Sequence, residues 1–282
     1  MPRLEFSPER LADVSVLAGS LSIENSPLLP WSEAAISFLG ELSRALLKAA
    51  RIRDYPDVAS FAYWCRAARL TEMKRAFLET PDAPSRLGRG LALSIAPANI
   101  PINFAFSFAF SLLAGNASVV RVPSRDFAQV EVVTSAINEV LGTGAHPEVE
   151  RRSAFVRYPS TSEATEAFSE VADARLLWGG DATVARIGAL ARSPRCKDVV
   201  FADRYSIAVL DGAAVLRADE EEIRRLAQGF YNDSYLMDQN ACSSPHLLFW
   251  YGGGEEAQAA AAPSAAAPSE AAAPAAADVA DA

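Results

Sequence analysis

The 282-residue chain is 50% apolar and 22% charged, a soluble globular composition with length for one large domain or two smaller ones. Its net charge is −9, but residues 252–282 hold five acids and no Lys or Arg, which leaves −4 on the rest and no basic face for nucleic acid. Three cysteines cannot build a disulfide framework, and the start MPRLEFSPER has no apolar signal core. A reducing, cytoplasmic setting is therefore expected.

Residues 1–30 are punctuated by Pro and Ser and predict no long element. Ser32–Arg53 carries apolar residues at helical spacing behind a Ser cap. Tyr55–Leu78 has Pro56 in its first turn and ends before Pro81. Together these make 1–84 a helical N-terminal segment. From Leu91 short apolar runs alternate with helices. Strands are predicted at 91–96, 117–122, 153–158, 174–178, 197–201 and 205–210, and helices at 101–114, 126–141, 161–172, 181–192 and 219–231. Gly90–Val120 has no charged residue, yet Pro97, Asn99, Pro101, Asn103, Gly115 and Asn116 cut it into pieces too short for a membrane span. It reads as buried strand, helix and strand. The alternation predicts an α/β fold, a mostly parallel sheet with helices on both faces. A further strand, His246–Tyr251, closes the folded part. Sixteen of the 26 residues 257–282 are alanine, interrupted by Pro263, Pro268 and Pro274, so 252–282 is expected to be a disordered tail.

In parallel α/β sheets ligands bind beyond the carboxyl ends of the strands. Three predicted turns fall there. Ala96–Pro101 contains Asn99, whose amide either donates to a ligand or caps the following helix. Trp178-Gly179-Gly180-Asp181 permits close approach of a phosphate to a helix N-terminus, or is a plain tight turn. Val122-Pro123-Ser124 is the third. No GxGxxG occurs. Among the thiols, Cys65 reads as a core residue. Cys196 lies between Arg195 and Lys197, which would favour its thiolate, but at the strand end opposite the ligands. Cys242 lies in the polar stretch Asp238–Pro245. The residues alone leave Cys196 and Cys242 level. His246 is too far along an extended chain to pair with Cys242, and Cys-x3-His supplies too few ligands for zinc, so no metal is expected.

Taken together, these segments resemble the acyl-CoA reductase family, the LuxC-type fatty-acid reductases of bacterial luminescence, within the aldehyde dehydrogenase superfamily. The passages that carry the resemblance are Ile95–Pro101, Ala114-Gly115-Asn116, Val119–Ser124, Leu177–Asp181, Phe201–Ser206 and Asp238–Pro245. The resemblance implies an aldehyde-dehydrogenase-like nucleotide-binding domain over 85–235 and the start of a catalytic domain over 236–251. It implies that Cys242 accepts the acyl group of a fatty acyl-CoA or acyl-protein and that Asn99 steadies the oxyanion. NADPH would lie near Pro123, Ser124, Gly179 and Gly180, and an acyl-protein synthetase is the implied partner. There are departures. Val122 stands where the superfamily has a ribose-binding lysine, with Arg121 beside it, and Phe201 stands near the position of the dehydrogenases' general base. The family also continues well beyond its cysteine, so the catalytic domain is expected to be incomplete and turnover poor. The alternatives are a remnant that only binds a nucleotide or partner, and a cysteine hydrolase or acyltransferase.

Overall fold

The computed structural model describes residues 3–4, 6–81, 85–235, 239–252 and 254; the tail reading therefore lies almost wholly outside the described residues. Two compact units divide at Ala202/Asp203, inside the stretch 85–235 that the sequence reading kept together. The first unit comprises β1 (Arg3–Leu4), β2 (Ser15–Gly19), β3 (Ile23–Glu24), α1 (Glu33–Lys48), α2 (Pro56–Trp64), α3 (Ala67–Leu78), β4 (Leu91–Ile95), α4 (Asn103–Leu113), β5 (Ala117–Arg121), α5 (Ala128–Gly142), α6 (Pro147–Glu150), β6 (Ser153–Arg157), α7 (Ala164–Val171), β7 (Ala174–Trp178), α8 (Asp181–Gly188) and β8 (Lys197–Phe201). The second comprises β9 (Ser206–Asp211), α9 (Gly212–Arg217), α10 (Glu220–Ser234) and β10 (Pro245–Tyr251).

Six strands form the main sheet in the order β2-β6-β5-β4-β7-β8. All neighbours are parallel except the edge pair β2–β6. The pleat sends alternate residues to opposite faces, and helices cover both. On one face Phe155 meets Phe104 and Phe108 of α4, with ring centroids 6.1 and 4.7 Å apart, and Ser118 Oγ donates to Ser111 Oγ at 2.8 Å. On the other, Leu91, Leu93, Ile95, Val119, Val156 and Leu177 share a core with Phe168 of α7 and Ile187 of α8. Burial on both faces explains why these strands read as continuous apolar runs.

Several elements differ from the sequence reading, among them the short helices α6 and α9, which it did not contain, and α8, which ends at Gly188. The N-terminal segment is not wholly helical: Ser15–Gly19 adds an antiparallel edge strand. Its short run carries no turn-bounded alternation strong enough to mark it. Helix α1 stops at Lys48, where Ala49 turns out of helix (ψ 130°). The helix expected over 55–78 breaks at Arg66 (ψ 133°), and its guanidinium lies 4.1 Å from the Tyr63 ring. Neither Pro nor Gly marks that break. The strand expected at 205–210 does not join the main sheet; it pairs in parallel with β10.

The turn after α4 needs glycine. Gly115 has φ +85°, and a Cβ there would fall 2.2 Å from Leu28 O. Its carbonyl accepts from Leu28 N at 2.9 Å, and Trp31 N donates to Leu113 O at 2.7 Å, so the strap 28–31 is fixed against the end of α4. Gly115→Ala is expected to cost at least the ~1–2 kcal/mol of a left-handed non-glycine residue, read as a lower thermal midpoint.

Candidate active site

The parallel register brings Ile95, Arg121, Val156, Leu177, Trp178 and Phe201 to one edge of the sheet. The turns that follow these strands hold five of the six residues singled out from the sequence. Asn99 is exposed, while Pro97 and Pro101 around it are buried. Helix α4 starts at Asn103, and its cap position is Ile102 without a side-chain cap bond. The capping alternative for Asn99 therefore does not hold: Pro101 and Ile102 form a turn of their own before the helix. Pro123 is buried and Ser124 exposed at the end of β5.

Gly179 and Gly180 lead into α8, with Gly180 at its cap and its carbonyl accepting from Val184 N at 3.0 Å. A Cβ on Gly180 would meet nothing within 4 Å, whereas one on Gly179 would come 3.2 Å from Thr183 Cγ2. The space above Gly180 thus fits a group approaching the helix N-terminus, where free N–H groups favour anions. Beside it the Trp178 and Phe201 rings stack at 3.7 Å and 6°. Trp178 Nε1 is buried without a hydrogen-bond partner. Sequence reasoning missed this pair; its only signal was an aromatic residue closing two adjacent strands. Val122 is buried, and its N–H is spent on Val156 O at 3.0 Å.

The three thiols separate by burial. Cys65 is fully buried, and burial pushes its thiol up. Cys196 is 5% exposed, and burial outweighs the nearby Arg175 and Arg192 charges, so its thiol also rises. The flanking cations Arg195 and Lys197 do not make it a thiolate. Cys242 is exposed. Its loop is tied on two sides. Ser206 Oγ at the start of β9 donates to Cys242 O at 2.6 Å, and Ser244 Oγ donates to Asp233 O at 3.0 Å at the end of α10. His246 lies against Tyr205, ring centroids 5.4 Å apart; among the described residues no hydrogen bond joins it to Cys242. Cys242 belongs to the second unit and the other five candidates to the first. Iodoacetamide at neutral pH is expected to modify Cys242 well before Cys196 or Cys65, because only an accessible sulfur can react. Peptide mapping over time checks this, and equal rates at Cys196 would contradict it.

Among the described residues no helix is long and apolar enough to cross a membrane, and no group of three His, Cys, Asp or Glu side chains could hold a metal ion.

Several solved structures share this fold. One is a putative aldehyde dehydrogenase from Burkholderia cenocepacia, with 18% identity and TM-score 0.55 over 78% of this chain and 49% of that one. An oxidoreductase from Marinobacter aquaeolei gives 14% and 0.59 over 86% and 52%. The NADP-dependent glyceraldehyde-3-phosphate dehydrogenase from Bacillus halodurans C-125, complexed with NADP, gives 18% and 0.55 over 81% and 50%. The chain spans about half the length of these proteins, and at such identities the likeness establishes the aldehyde dehydrogenase-like α/β fold. No curated protein sequence matches it. The family described as "Acyl-CoA reductase (LuxC)" matches residues 72–267, well over half of the sequence, and the chain belongs to that family.

Proposed function

We propose that the chain takes part in the NADPH-dependent reduction of a fatty acyl thioester, acyl-CoA or acyl-protein, to the aldehyde, with Cys242 as acyl acceptor. The observation that carries this reading is the exposure of Cys242 on a loop tied to β9 and α10, against two buried thiols. Membership of the acyl-CoA reductase family supports the reaction class. The nucleotide is supported by the turn at Gly180 and by fold relatives described with bound NADP and NAD. Pro123 and Ser124 are assigned to the same nucleotide end of the sheet, and an acyl-protein synthetase is the partner assigned to supply the acyl group.

In this reading the Cys242 thiolate adds to the thioester carbonyl. The oxyanion so formed accepts a hydrogen bond from the Asn99 side-chain amide. Collapse expels the coenzyme A thiolate and leaves the acyl group on Sγ. NADPH, when bound, would supply the hydride that reduces the acyl carbon, and the Asn99 amide would again donate to the oxyanion so formed. Its collapse releases the aldehyde and returns the Cys242 thiolate. No general base is required to activate water, because no water enters the reaction.

The test is to incubate the protein with a long-chain acyl-CoA, with and without NADPH, and to identify the product. Aldehyde formed only with NADPH supports the reductase. Free acid formed without NADPH would make the protein a hydrolase. Nucleotide binding with neither product would make it a binding domain alone. Asn99→Ala is expected to lower kcat by about 10²–10³-fold, the usual effect of losing one oxyanion donor, with acyl-CoA affinity little changed.

A further inference from the structure

A cavity of about 440 Å³ opens beside the end of α4. Two of its walls come from segments that lead into strands: Leu87 precedes β4, and Leu113 and Ala114 precede β5. Because β4 and β5 are parallel and in register from Leu91 and Ala117, these walls lie at the amino edge of the main sheet. The turns that hold Asn99 and Pro123 follow the same strands, about 16 Å away along five residues. The cavity is therefore separate from the turns assigned above to nucleotide and oxyanion. Met73 and Phe77 on α3 and Phe110 and Leu113 on α4 are spaced four and three residues apart, so each helix turns one apolar stripe toward it. Trp31 completes the lining.

The walls are held in place. Trp31 has φ 58°, a left-handed conformation that a bulky side chain adopts only where its surroundings impose it. What imposes it is the strap 28–31: Trp31 N donates to Leu113 O at 2.7 Å, and Gly88 N donates to Leu28 O at 2.8 Å, which ties the segment before β4 to the same strap. The Trp31 ring lies 6.2 Å from that of Phe77. Large apolar side chains nevertheless stay in water here, Phe110 at 52% exposure and Leu87 at 56%. Apolar surface that a fold keeps exposed in a fixed concavity is what a ligand covers.

The chemistry of that ligand can be narrowed. Arg86 lines the cavity with its guanidinium 5.3 Å from the Phe77 ring, and among the described residues no Asp or Glu lines it. An apolar interior with a cation at its edge selects a molecule with an apolar body and one negative head, and the forked donors of a guanidinium suit a carboxylate. At about 30 Å³ for each water-sized group, the volume takes a head group and a chain of roughly a dozen carbons. We propose that this cavity binds a long-chain carboxylate, with its hydrocarbon chain against Trp31, Phe77 and Phe110 and its head at Arg86. The site goes beyond the reductase reading: it needs neither nucleotide nor Cys242.

The experiment measures binding of dodecanoate, octanoate and dodecyltrimethylammonium to the full chain by calorimetry, below their micelle concentrations. Dodecanoate is expected to bind about 10–100-fold more tightly than octanoate, since each buried methylene is worth about fourfold. Ala114→Phe, a change at an exposed position that fills the cavity, should abolish that chain-length preference, with a thermal melt to confirm that the variant is folded. Arg86→Gln, also at an exposed position, should weaken dodecanoate about tenfold, the worth of one charged hydrogen bond, and leave the ammonium amphiphile unaffected. No binding of dodecanoate, equal binding of the two carboxylates, a preference that survives Ala114→Phe, or binding of the ammonium amphiphile as tight as that of dodecanoate would overturn the proposal. Failure of the reductase reading is distinguishable: it shows as absent acyl transfer to Cys242 with carboxylate binding intact, and Cys242→Ala should bind dodecanoate as the unaltered chain does.

Discussion

Cys242→Ala is expected to abolish both acyl transfer to the protein and aldehyde formation, with no loss of stability. The two halves of this expectation have separate physical origins. The Cys242 side chain is exposed and supports no packing; its loop is held through the backbone carbonyl by Ser206 and through Ser244 by α10. Surface truncations of this kind change stability by no more than about 0.5 kcal/mol. The chemistry has no substitute: Cys65 and Cys196 are both buried, and burial raises both thiols. Acyl-CoA labelling followed by intact mass measurement, with a thermal melt on the same sample, checks both halves. Retained labelling in a folded variant would move the nucleophile elsewhere.

Arg175→Met is expected to produce the largest loss of stability. Arg175 is fully buried on β7 and binds Asp198 on β8 through two bonds, Nε at 2.7 Å and Nη2 at 2.8 Å. It also donates from Nη1 to Ile187 O at 3.0 Å at the end of α8. One side chain thus ties together two strands and a helix C-terminus. Removing one partner of a buried pair costs about 3–5 kcal/mol, because the other charge stays behind in low dielectric. Arg192, whose Nη1 lies 2.8 Å from Asp198, softens that penalty, so a value near ~3 kcal/mol is expected from urea unfolding. The double change Arg175→Met with Asp198→Leu should recover much of the loss.

The same pair fixes the sign of a pH effect. Hydrogen bonding to Arg175, against the opposing effect of burial, holds the Asp198 carboxyl below its ordinary value. A depressed carboxylate contributes its stability fully above the unfolded value of ~3.9 and loses it as pH falls through the lower folded value. The difference in stability between wild type and the double variant should therefore shrink in that acid range. A difference that grew on acidification would contradict the assignment.

Legibility in the sequence followed the physics of each element. Strands β4 to β7 were readable because burial on both faces writes them as apolar runs between helices of regular length, whereas β8 is an exposed edge strand. The carboxyl edge of the sheet was readable for the same reason, since the turns after those parallel strands had to lie together. Asn99 illustrates the limit: only the observed start of α4 at Asn103 removed the capping alternative. Cys196 shows a second limit. Its flanking charges were visible, but its burial comes from sharing a core with residues distant in sequence, such as Leu93 and Phe168. Strand β2 escaped because its five residues are too few to show a clear alternation, and the break at Arg66 because neither Pro nor Gly marks it. Arg175 and the Trp178–Phe201 stack went unread as features because their meaning lies in partners on neighbouring strands.

Acyl transfer to one thiol is the step on which the reductase chemistry depends, and it can be measured in isolation. The protein is mixed with a long-chain acyl-CoA in the absence of reductant, desalted, digested and mapped by mass spectrometry, and a second portion receives NADPH before digestion. One acyl mass is expected, on the peptide that contains Cys242, and it should disappear on adding NADPH as an equal amount of aldehyde appears. An acyl group on any other residue, or one that leaves only as free acid whether or not NADPH is present, would contradict it.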